Sequence, residues 1–365
     1  MKLECSVEKI KNAIYQVERI TGKNLTLSAL NSILLIASPK SLKLRSTNLS
    51  LGIEIEIPVK TEEEGTLAVS GSVLNGIFSN VSQNENIFLE TKNENLLIKT
   101  KKNQLKLKCV PHDDFPTIPT VSGESFEIEI KKLIEGIKSV YYSASFSDIK
   151  PEISSVLLYT NGDNLFFVST DSFRLAEKKI KIKGSLEIPR LLIPFKNIGE
   201  ILKVLGEFQN TAKICFNKNQ ISFSSDNVYL TSRVIDGNFP DYRQIIPKDF
   251  STEAVVLKQD LLDALKISNI FSDKFNQVNL KINPKEKIFE LSSVNNDIGE
   301  NKTYLDAVLN GENIELSFNF KYFLDCFQSI TTDSLSIKFS GDGKPIVITP
   351  VSDSSFTYLI MPMNR

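Results

Sequence analysis

The sequence KLECSVEKIKNAIYQV at residues 2–17 predicts a short alternating strand that runs into an amphipathic helix. The pattern returns as FEIEIKKLIEGIKSVY at residues 126–141 and as AVVLKQDLLDALKIS at residues 254–268. Each copy has two apolar residues four positions apart, on one helical face. These pairs are Ile10 and Ile14, Leu133 and Ile137, and Leu261 and Leu265. The sequence therefore predicts an internal threefold repeat.

A second strand-and-helix pattern follows within each copy. Its strands are predicted at residues 66–69, 191–193 and 314–318, and its helices carry matched core positions at Leu74, Ile198 and Phe323. Turn residues separate further alternating runs, which are typical of antiparallel hairpins. We therefore predict an α+β chain of three tandem domains, each with two helices on a β-sheet. Their expected bounds are residues 1–120, 125–247 and 251–365.

The composition is that of a globular protein, with 41% hydrophobic and 24% charged residues. The 43 Lys and Arg residues against 44 Asp and Glu residues leave a formal net charge of -1. This balance disfavours a strongly basic nucleic-acid binder, so any basic surface is expected to be local. No apolar run approaches the ~20 residues that span a bilayer, and the start at Met1 lacks an apolar signal stretch. We expect a cytoplasmic protein that makes no contact with a membrane.

Patterns that carry catalytic chemistry are weak. The GDGKP segment at residues 341–345 fails the phosphate-loop spacing and has proline at the hydroxyl position. His112 beside Asp113 and Asp114 is read as a solvated turn, without a catalytic role. We predict no metal site and no cofactor, because His112 is the one histidine and the cysteines lack ligand spacing. The cysteines are Cys5, Cys109, Cys215 and Cys326.

The predicted helices carry a weakly positive face opposite their apolar stripe. Its basic residues are Arg19, Lys131, Lys138, Lys196, Lys203, Lys266 and Lys321. Its acidic residues are Glu8, Glu135, Glu200, Asp263 and Asp325. An excess of two positive charges fits an ordinary solvated surface as well as a DNA-facing one.

Helix dimensions indicate how many chains a DNA-encircling ring would need. Six helices side by side at about 10 Å spacing leave a bore of about 9 Å, which is too narrow for a duplex. Twelve helices from two chains leave a bore of about 28 Å. That opening admits B-DNA, roughly 20 Å wide, with a layer of water. A weakly positive lining lets such a ring slide, because it holds few phosphates.

Four segments resemble signature segments of the bacterial DNA polymerase III beta subunit, the sliding clamp family. They are LTLSAL at residues 25–30, TDSFRLA at residues 170–176, GNFPDYR at residues 237–243 and YLIMPM at residues 358–363. The likeness runs in order along the whole chain, from Met1 to Arg365. It implies the DNA clamp fold, with two chains joined head to tail as a ring-shaped homodimer. Such a ring encircles double-stranded DNA without sequence preference.

The resemblance also implies a processivity factor with no chemistry of its own. A clamp loader would place it on DNA, where it would tether the DNA polymerase III alpha subunit. Other polymerases and repair proteins would bind through short linear peptides. The alternative from another class is a metal-dependent phosphoryl- or nucleotidyl-transfer enzyme that uses scattered carboxylates.

By the same resemblance, partner peptides bind an apolar trough. Adaptable methionines suit many short segments, and Arg174 is expected to fix their orientation. The implied trough residues are Ile153, Thr170, Ser172, Phe173, Arg174, Leu175, Pro240, Gln244, Ile245, Pro345, Leu359, Ile360, Met361, Pro362 and Met363.

This chain departs from the family pattern at three points near the trough. Ser172 and Phe173 stand where the family often has Gly-His, Gln244 replaces a second arginine, and Asn364 follows Met363 where the family has arginine. The larger Phe173 is expected to reshape the trough and so to change which peptides bind.

The resemblance assigns two further surfaces. Lys23, or Asn24, stands at the basic tip of a DNA-facing loop and joins Arg19 and the helix lysines named above. At the ring seam, Leu105 and Leu107 of one chain are expected to meet Ile270 and Phe271 of the other. The alternation at Leu105 and Leu107 fits an edge strand that awaits a partner and also fits an ordinary core strand.

Overall fold

The computed structural model describes residues 1–22, 27–82, 85–182 and 187–363. Within these ranges the chain forms six α-helices and a large set of antiparallel strands. The helices are α1 (Val7–Glu18), α2 (Gly71–Ser79), α3 (Ile130–Lys138), α4 (Phe195–Leu205), α5 (Lys258–Ile270) and α6 (Phe320–Cys326).

The strands are short and pair antiparallel. The first thirteen are β1 (Lys2–Ser6), β2 (Ser32–Ser38), β3 (Ser41–Thr47), β4 (Leu51–Pro58), β5 (Lys60–Glu63), β6 (Gly65–Ser70), β7 (Asn86–Lys92), β8 (Asn95–Lys99), β9 (Gln104–Lys108), β10 (Glu124–Glu129), β11 (Ser155–Asn161), β12 (Asn164–Thr170) and β13 (Arg174–Lys181). The others are β14 (Leu191–Pro194), β15 (Thr211–Phe216), β16 (Gln220–Ser225), β17 (Val228–Arg233), β18 (Thr252–Leu257), β19 (Gln277–Asn283), β20 (Ile288–Asn295), β21 (Gly299–Tyr304), β22 (Ala307–Gly311), β23 (Ile314–Asn319), β24 (Ser334–Phe339), β25 (Ile346–Pro350) and β26 (Phe356–Ile360).

The chain divides into two compact units, and the first comprises Met1–Lys131 and Lys196–Val234. It contains an eight-stranded sheet in the order β10-β15-β16-β17-β4-β3-β2-β6 and a five-stranded sheet in the order β5-β1-β7-β8-β9. Helix α1 packs on α2 and on β3 and β4. Strand β9 lies at an edge of its sheet, with β8 as its one neighbour among the described strands.

The second unit comprises Lys132–Phe195 and Ile235–Arg365. Its nine-stranded sheet has the order β14-β11-β12-β13-β26-β25-β24-β18-β22, and its four-stranded sheet has the order β21-β20-β19-β23. Helix α5 packs on β18, β20 and β21, and α6 packs on α5, β23 and β26. Strand β21 is an edge strand that pairs with β20 alone among the described strands.

The predicted repeat of strand and helix is confirmed. Six times a strand runs directly into a helix, at β1–α1, β6–α2, β10–α3, β14–α4, β18–α5 and β23–α6. The apolar positions matched in the sequence are buried in every helix, because each helix turns one stripe toward a sheet. These positions are Ile10, Ile14, Leu74, Leu133, Ile137, Ile198, Leu261, Leu265 and Phe323. The residue bounds of the three domains stay a prediction.

A glycine sets the close approach of α3 to strand β12. A Cβ atom at Gly136 would lie 2.3 Å from Cε2 and 2.5 Å from Cδ2 of the Phe167 ring, which is fully buried. Real Cβ atoms do not approach this closely, so the ring or the helix has to move. Gly199 in α4 differs, because nothing lies within 4 Å of the position that its Cβ would occupy.

These two glycines form a matched pair for a stability measurement. Gly136→Ala is expected to lower the free energy of unfolding by about 1–3 kcal/mol, because overpacking a buried ring outweighs the gain in helix propensity. Gly199→Ala is expected to raise it by roughly 0.5–1 kcal/mol, because only the propensity gain applies. Chemical denaturation of both variants checks this, and equal effects of the two substitutions would contradict it.

Candidate functional site

The turn between β12 and β13 is closed by its own polar side chains. The Thr170 hydroxyl donates to the Arg174 carbonyl at 2.7 Å and accepts from the Ser172 amide at 3.1 Å. The Asp171 carboxylate accepts from the backbone amides of Phe173 at 2.9 Å and Arg174 at 3.0 Å. Short polar residues form such turns readily, because their side chains satisfy neighbouring amides. The turn therefore holds the Phe173 side chain out at the surface, 61% exposed.

The guanidinium of Arg174 is buried directly below this turn, with the residue only 7% exposed. Its Nε donates to Asp171 at 3.0 Å, its Nη1 donates to the carboxylate of Asp325, and its Nη2 donates to the Tyr142 carbonyl at 2.7 Å. It also lies 4.6 Å from the centre of the Tyr322 ring. Arg174 thus ties the turn to α6 and to the short 3-10 helix at residues 141–143.

The surroundings keep this guanidinium charged. Burial alone would lower the pKa of Arg174, but the carboxylates of Asp325 and Asp171 outweigh burial and raise it. Burial also raises the pKa of Tyr142 and Tyr358 well above the ordinary value, so both phenols are neutral. A buried charge with several partners is stable only while all of them remain.

Strand β13, which begins at Arg174, pairs with the C-terminal strand β26. Arg174 pairs with Ile360 across β13 and β26, and Ile360 pairs with Ile346 across β26 and β25. Beyond the end of β26, the Met361 amide donates to the Phe173 carbonyl at 2.8 Å. The YLIMPM and TDSFRLA segments therefore lie side by side.

The loop that contains Tyr242 packs against both the TDSFRLA and the YLIMPM segments in the core. Tyr242, in a 3-10 helix at residues 242–244, packs in one buried cluster with Leu175, Leu359 and Val347. Gln244 and Ile245 follow at the surface and are exposed. Ile153 is buried just before β11, and its carbonyl accepts from the Ser145 amide at 3.0 Å.

The predicted trough residues differ in how much surface they offer. The exposed ones are Ser172, Phe173, Pro240, Gln244 and Ile245, and the half-buried ones are Met361, Pro362 and Met363. The buried ones are Ile153, Thr170, Arg174, Leu175, Pro345, Leu359 and Ile360. All of them belong to the second unit.

The predicted DNA-facing residues also differ from one another. Three have acidic partners: Arg19 pairs with Glu200 at 3.1 Å, Lys203 with Glu200 at 2.7 Å and Lys266 with Asp263 at 3.0 Å. Four are exposed and form no salt bridge with any residue that the structure describes, namely Lys131, Lys138, Lys196 and Lys321. Lys23 lies outside the described residues.

Two of the predicted seam residues lie on an edge strand, and the other two lie at the end of helix α5. Leu105 and Leu107 are half-buried on the edge strand β9. Ile270, the last residue of α5, is 63% exposed. The Phe271 ring lies close to the start of β21, because a Cβ at Gly299 would be 3.8 Å from its Cε1.

Family models account for nearly the whole chain. The N-terminal, central and C-terminal domains of the DNA polymerase III beta subunit match residues 1–119, 127–241 and 243–364. The chain belongs to the DNA polymerase III beta subunit family. This membership confirms the predictions of a sliding clamp, of three domains with the clamp fold, of a processivity factor and of a non-catalytic subunit.

Individual relatives agree with the family. The beta sliding clamp of Synechococcus elongatus is 26% identical over 372 residues, which cover 100% of this chain and 99% of that protein. The beta sliding clamp of Staphylococcus aureus is 26% identical and covers 93% of this chain and 92% of its own. The DNA polymerase III beta subunit of Pseudomonas aeruginosa superposes with a TM-score of 0.95 at 24% identity and full coverage of both chains. The Bacillus subtilis sliding clamp has the same score and identity, with 100% and 99% coverage.

The clamp shows a backbone reason for one departure from the family pattern. Ser172 has a φ of 78°, in the left-handed region that glycine enters without penalty. The Gly-His pair that is common in the family fits this position naturally, whereas serine is strained there. The hydrogen bond from the Ser172 amide to Thr170 is one contact that holds the strained residue in place.

Three residues that hold Arg174 were not found from the sequence. Asp171 has a recognisable sequence signal, since an Asp side chain commonly closes a turn by accepting from the backbone amide two residues later. Tyr322 and Asp325 have no such sequence signal, because both are about 150 residues from Arg174 along the chain. The sequence pattern places Asp325 on the helix face opposite the apolar stripe, and in the structure its partly exposed carboxylate pairs with Arg174.

Two further findings concern the described ranges alone. No helix in them is both long and apolar enough to cross a membrane. No three His, Cys, Asp or Glu side chains in them lie close enough together to hold a metal ion. The four cysteines form no disulfide.

Removing the Arg174 guanidinium is expected to destabilise the clamp. Arg174→Ala leaves the Asp171 and Asp325 carboxylates and the Tyr142 carbonyl without their donor, at a cost of roughly 3 kcal/mol of unfolding free energy. The control is Lys266→Ala, which breaks an exposed pair and is expected to change stability by less than about 0.5 kcal/mol. Urea unfolding of both variants provides the measurement, and a similar small change in both would contradict the assignment.

Proposed function

We propose that two copies of this clamp close head to tail into a ring around duplex DNA and slide on it. The observation that carries the proposal is the strand-to-helix junction repeated six times in one chain. Two chains supply twelve such helices, which at about 10 Å spacing leave a bore of about 28 Å. Duplex DNA, roughly 20 Å wide, passes through that opening with room for water.

The charges of the helices support sliding rather than tight binding. Lys131, Lys138, Lys196 and Lys321 are exposed and free of salt bridges within the described chain, so they can meet phosphates. Arg19, Lys203 and Lys266 are already partly neutralised by carboxylates. Each phosphate contact adds salt-dependent affinity, so a lining with few free cations favours movement along the duplex. We assign Lys23 to the same surface from the resemblance alone.

The seam between the two chains is proposed to join edge strands. Strand β9 of one chain would pair with β21 of the other, which satisfies the open backbone groups of both edges. Leu105 and Leu107 on β9 would then bury the Ile270 and Phe271 side chains beside β21. The half-buried state of both leucines supports this arrangement over an ordinary core strand.

The trough around the TDSFRLA and YLIMPM segments is proposed to bind short apolar peptides. Phe173 and Ile245 offer exposed apolar surface, and Met361 and Met363 are half-buried and adaptable. Peptides from the clamp loader, from the polymerase alpha subunit and from repair proteins are the proposed ligands. Arg174 would act by holding the trough in shape, since each of its three nitrogens already donates a hydrogen bond inside the clamp.

Two finer assignments complete the proposal. The three domains are taken to span residues 1–120, 125–247 and 251–365. The clamp is proposed to work in the cytoplasm, where a bacterial chromosome is replicated.

Retention on DNA tests the ring directly. After loading onto a nicked circular plasmid, the clamp is expected to remain bound through a high-salt wash, because enclosure rather than phosphate contact holds it. Cutting the plasmid once should release the clamp from the new ends. Gel filtration measures the fraction of clamp that stays with the circular and with the linear plasmid. Equal retention on both would contradict the ring proposal.

Sedimentation tests the seam. The wild-type clamp is expected to sediment at twice its 41.0 kDa chain mass. Ile270→Ala with Phe271→Ala should shift it toward a single chain, because apolar burial drives association. Val73→Ala, which also removes exposed apolar surface but lies on α2, is the control and should leave the mass unchanged. A stable dimer in the double variant would place the seam elsewhere.

A further inference from the structure

Three basic side chains surround a pair of stacked aromatic rings on the nine-stranded sheet. The rings of Tyr159 and Phe166 lie 4.9 Å apart at 15°. The Arg190 and Arg243 guanidiniums lie 5.8 and 5.7 Å from the centre of the Tyr159 ring. The Lys179 ammonium lies 5.8 Å from the centre of the Phe166 ring. We call Arg190, Arg243 and Lys179 the basic patch.

The positive charge of the basic patch is only partly balanced. Lys179 pairs with the buried Glu177 carboxylate at 3.3 Å. Glu177 also accepts from the Tyr242 hydroxyl, so both of its oxygens are in use. Neither Arg190 nor Arg243 pairs with a carboxylate of the described chain, and both are exposed. Two guanidiniums within 6 Å of the same ring centre favour an incoming anion.

Hydrogen bonds fix the position of Arg243. Its Nη2 donates to the Tyr159 hydroxyl at 2.8 Å, and that hydroxyl lies 2.7 Å from the Tyr242 hydroxyl. Tyr242 in turn donates to Glu177. A preorganised arginine loses less side-chain entropy when it binds a carboxylate.

Alternation along β13 shows which face the basic patch occupies. Lys178 points toward helix α3, because its ammonium lies 2.8 Å from Glu135. Successive side chains of a strand point to opposite faces, so Glu177 and Lys179 lie on the face away from α3. Leu175 shares that face and packs with Tyr159 and Phe166 in one cluster. The basic patch therefore borders the trough and lies on the sheet face away from α3.

We propose that the basic patch docks acidic residues that flank the apolar segment of a partner peptide. This inference rests on the trough proposed above and extends it. The apolar segment occupies the trough, and a neighbouring Asp or Glu reaches Arg190 or Arg243. Arg243 directly precedes Gln244 and Ile245 of the trough, so a peptide needs only a few further residues to reach it. Partners with acidic flanks are thereby preferred over partners with neutral ones.

Two synthetic peptides test the proposal. Both contain one apolar core selected from a random library for binding to the wild-type clamp, and they differ in having three Glu or three Gln residues at each end. Fluorescence anisotropy at low salt is expected to show about threefold to tenfold tighter binding of the Glu-flanked peptide. High salt should remove the difference, since exposed ion pairs are screened.

Variants separate the basic patch from the trough. Arg190→Gln with Arg243→Gln should abolish the preference for Glu flanks and leave the Gln-flanked affinity unchanged. Arg190→Gln alone should reduce the preference without disturbing the fold, because Arg190 makes no hydrogen bond with the residues that the structure describes. Lys196→Gln with Lys321→Gln removes two charges from the helix face and should preserve the preference. Met361→Ala should weaken both peptides alike.

Each other outcome overturns the inference. Equal affinity of the two peptides for the wild-type clamp removes the role of the basic patch and leaves the trough standing. Failure to select any core, or an unchanged affinity in Met361→Ala, removes the trough and the inference with it. A loss of affinity for a short DNA duplex in the Arg190 and Arg243 double variant, as large as the loss for the Glu-flanked peptide, would make the basic patch a nucleic-acid contact.

Discussion

The buried guanidinium of Arg174 is the interaction on which the candidate site depends. Its donors reach a carboxylate in its own turn, a carboxylate on α6 and a backbone carbonyl, so one side chain joins three parts of the chain. A charge in this position requires all of its partners, because an unpaired buried ion is far more costly than a solvated one. The proposed trough would therefore be shaped before a peptide binds, which lowers the conformational entropy lost on binding.

Helix α6 contributes to both the Arg174 site and the exposed helix surface of the second unit. It spans only Phe320–Cys326, yet Tyr322 and Asp325 contact Arg174 while Lys321 stays exposed. Phe320, Phe323 and Cys326 are buried and fix the helix on its sheet. A seven-residue helix has little stability of its own, so its position depends on this packing and on the Arg174 pair.

Hydrophobic periodicity predicted the repeat because burial leaves a regular trace in sequence, and Ile10, Leu133 and Leu261 are buried as expected. Pairings between distant charges leave no such trace. Arg19 and Glu200 are 181 residues apart, and the sequence pattern places both on the helix face opposite the apolar stripe without indicating that they pair. Pattern alone also left Leu105 and Leu107 undecided, since alternation is the same at an edge and in the middle of a sheet. Sheet order, which puts β9 at an edge, requires the folded backbone.

The edges of β9 and β21 carry a risk in a single chain. Neither edge has a second strand beside it in the part of the chain that the structure describes, and open backbone amides and carbonyls can pair with another extended chain, including a misfolded copy. Short length limits this hazard, since β9 has five residues and β21 has six. Lys106 and Lys108 limit the aggregation hazard further, because charged side chains on an edge strand disfavour edge-to-edge pairing with other chains. Protection against aggregation is thus built into the same strands that are proposed to join two chains.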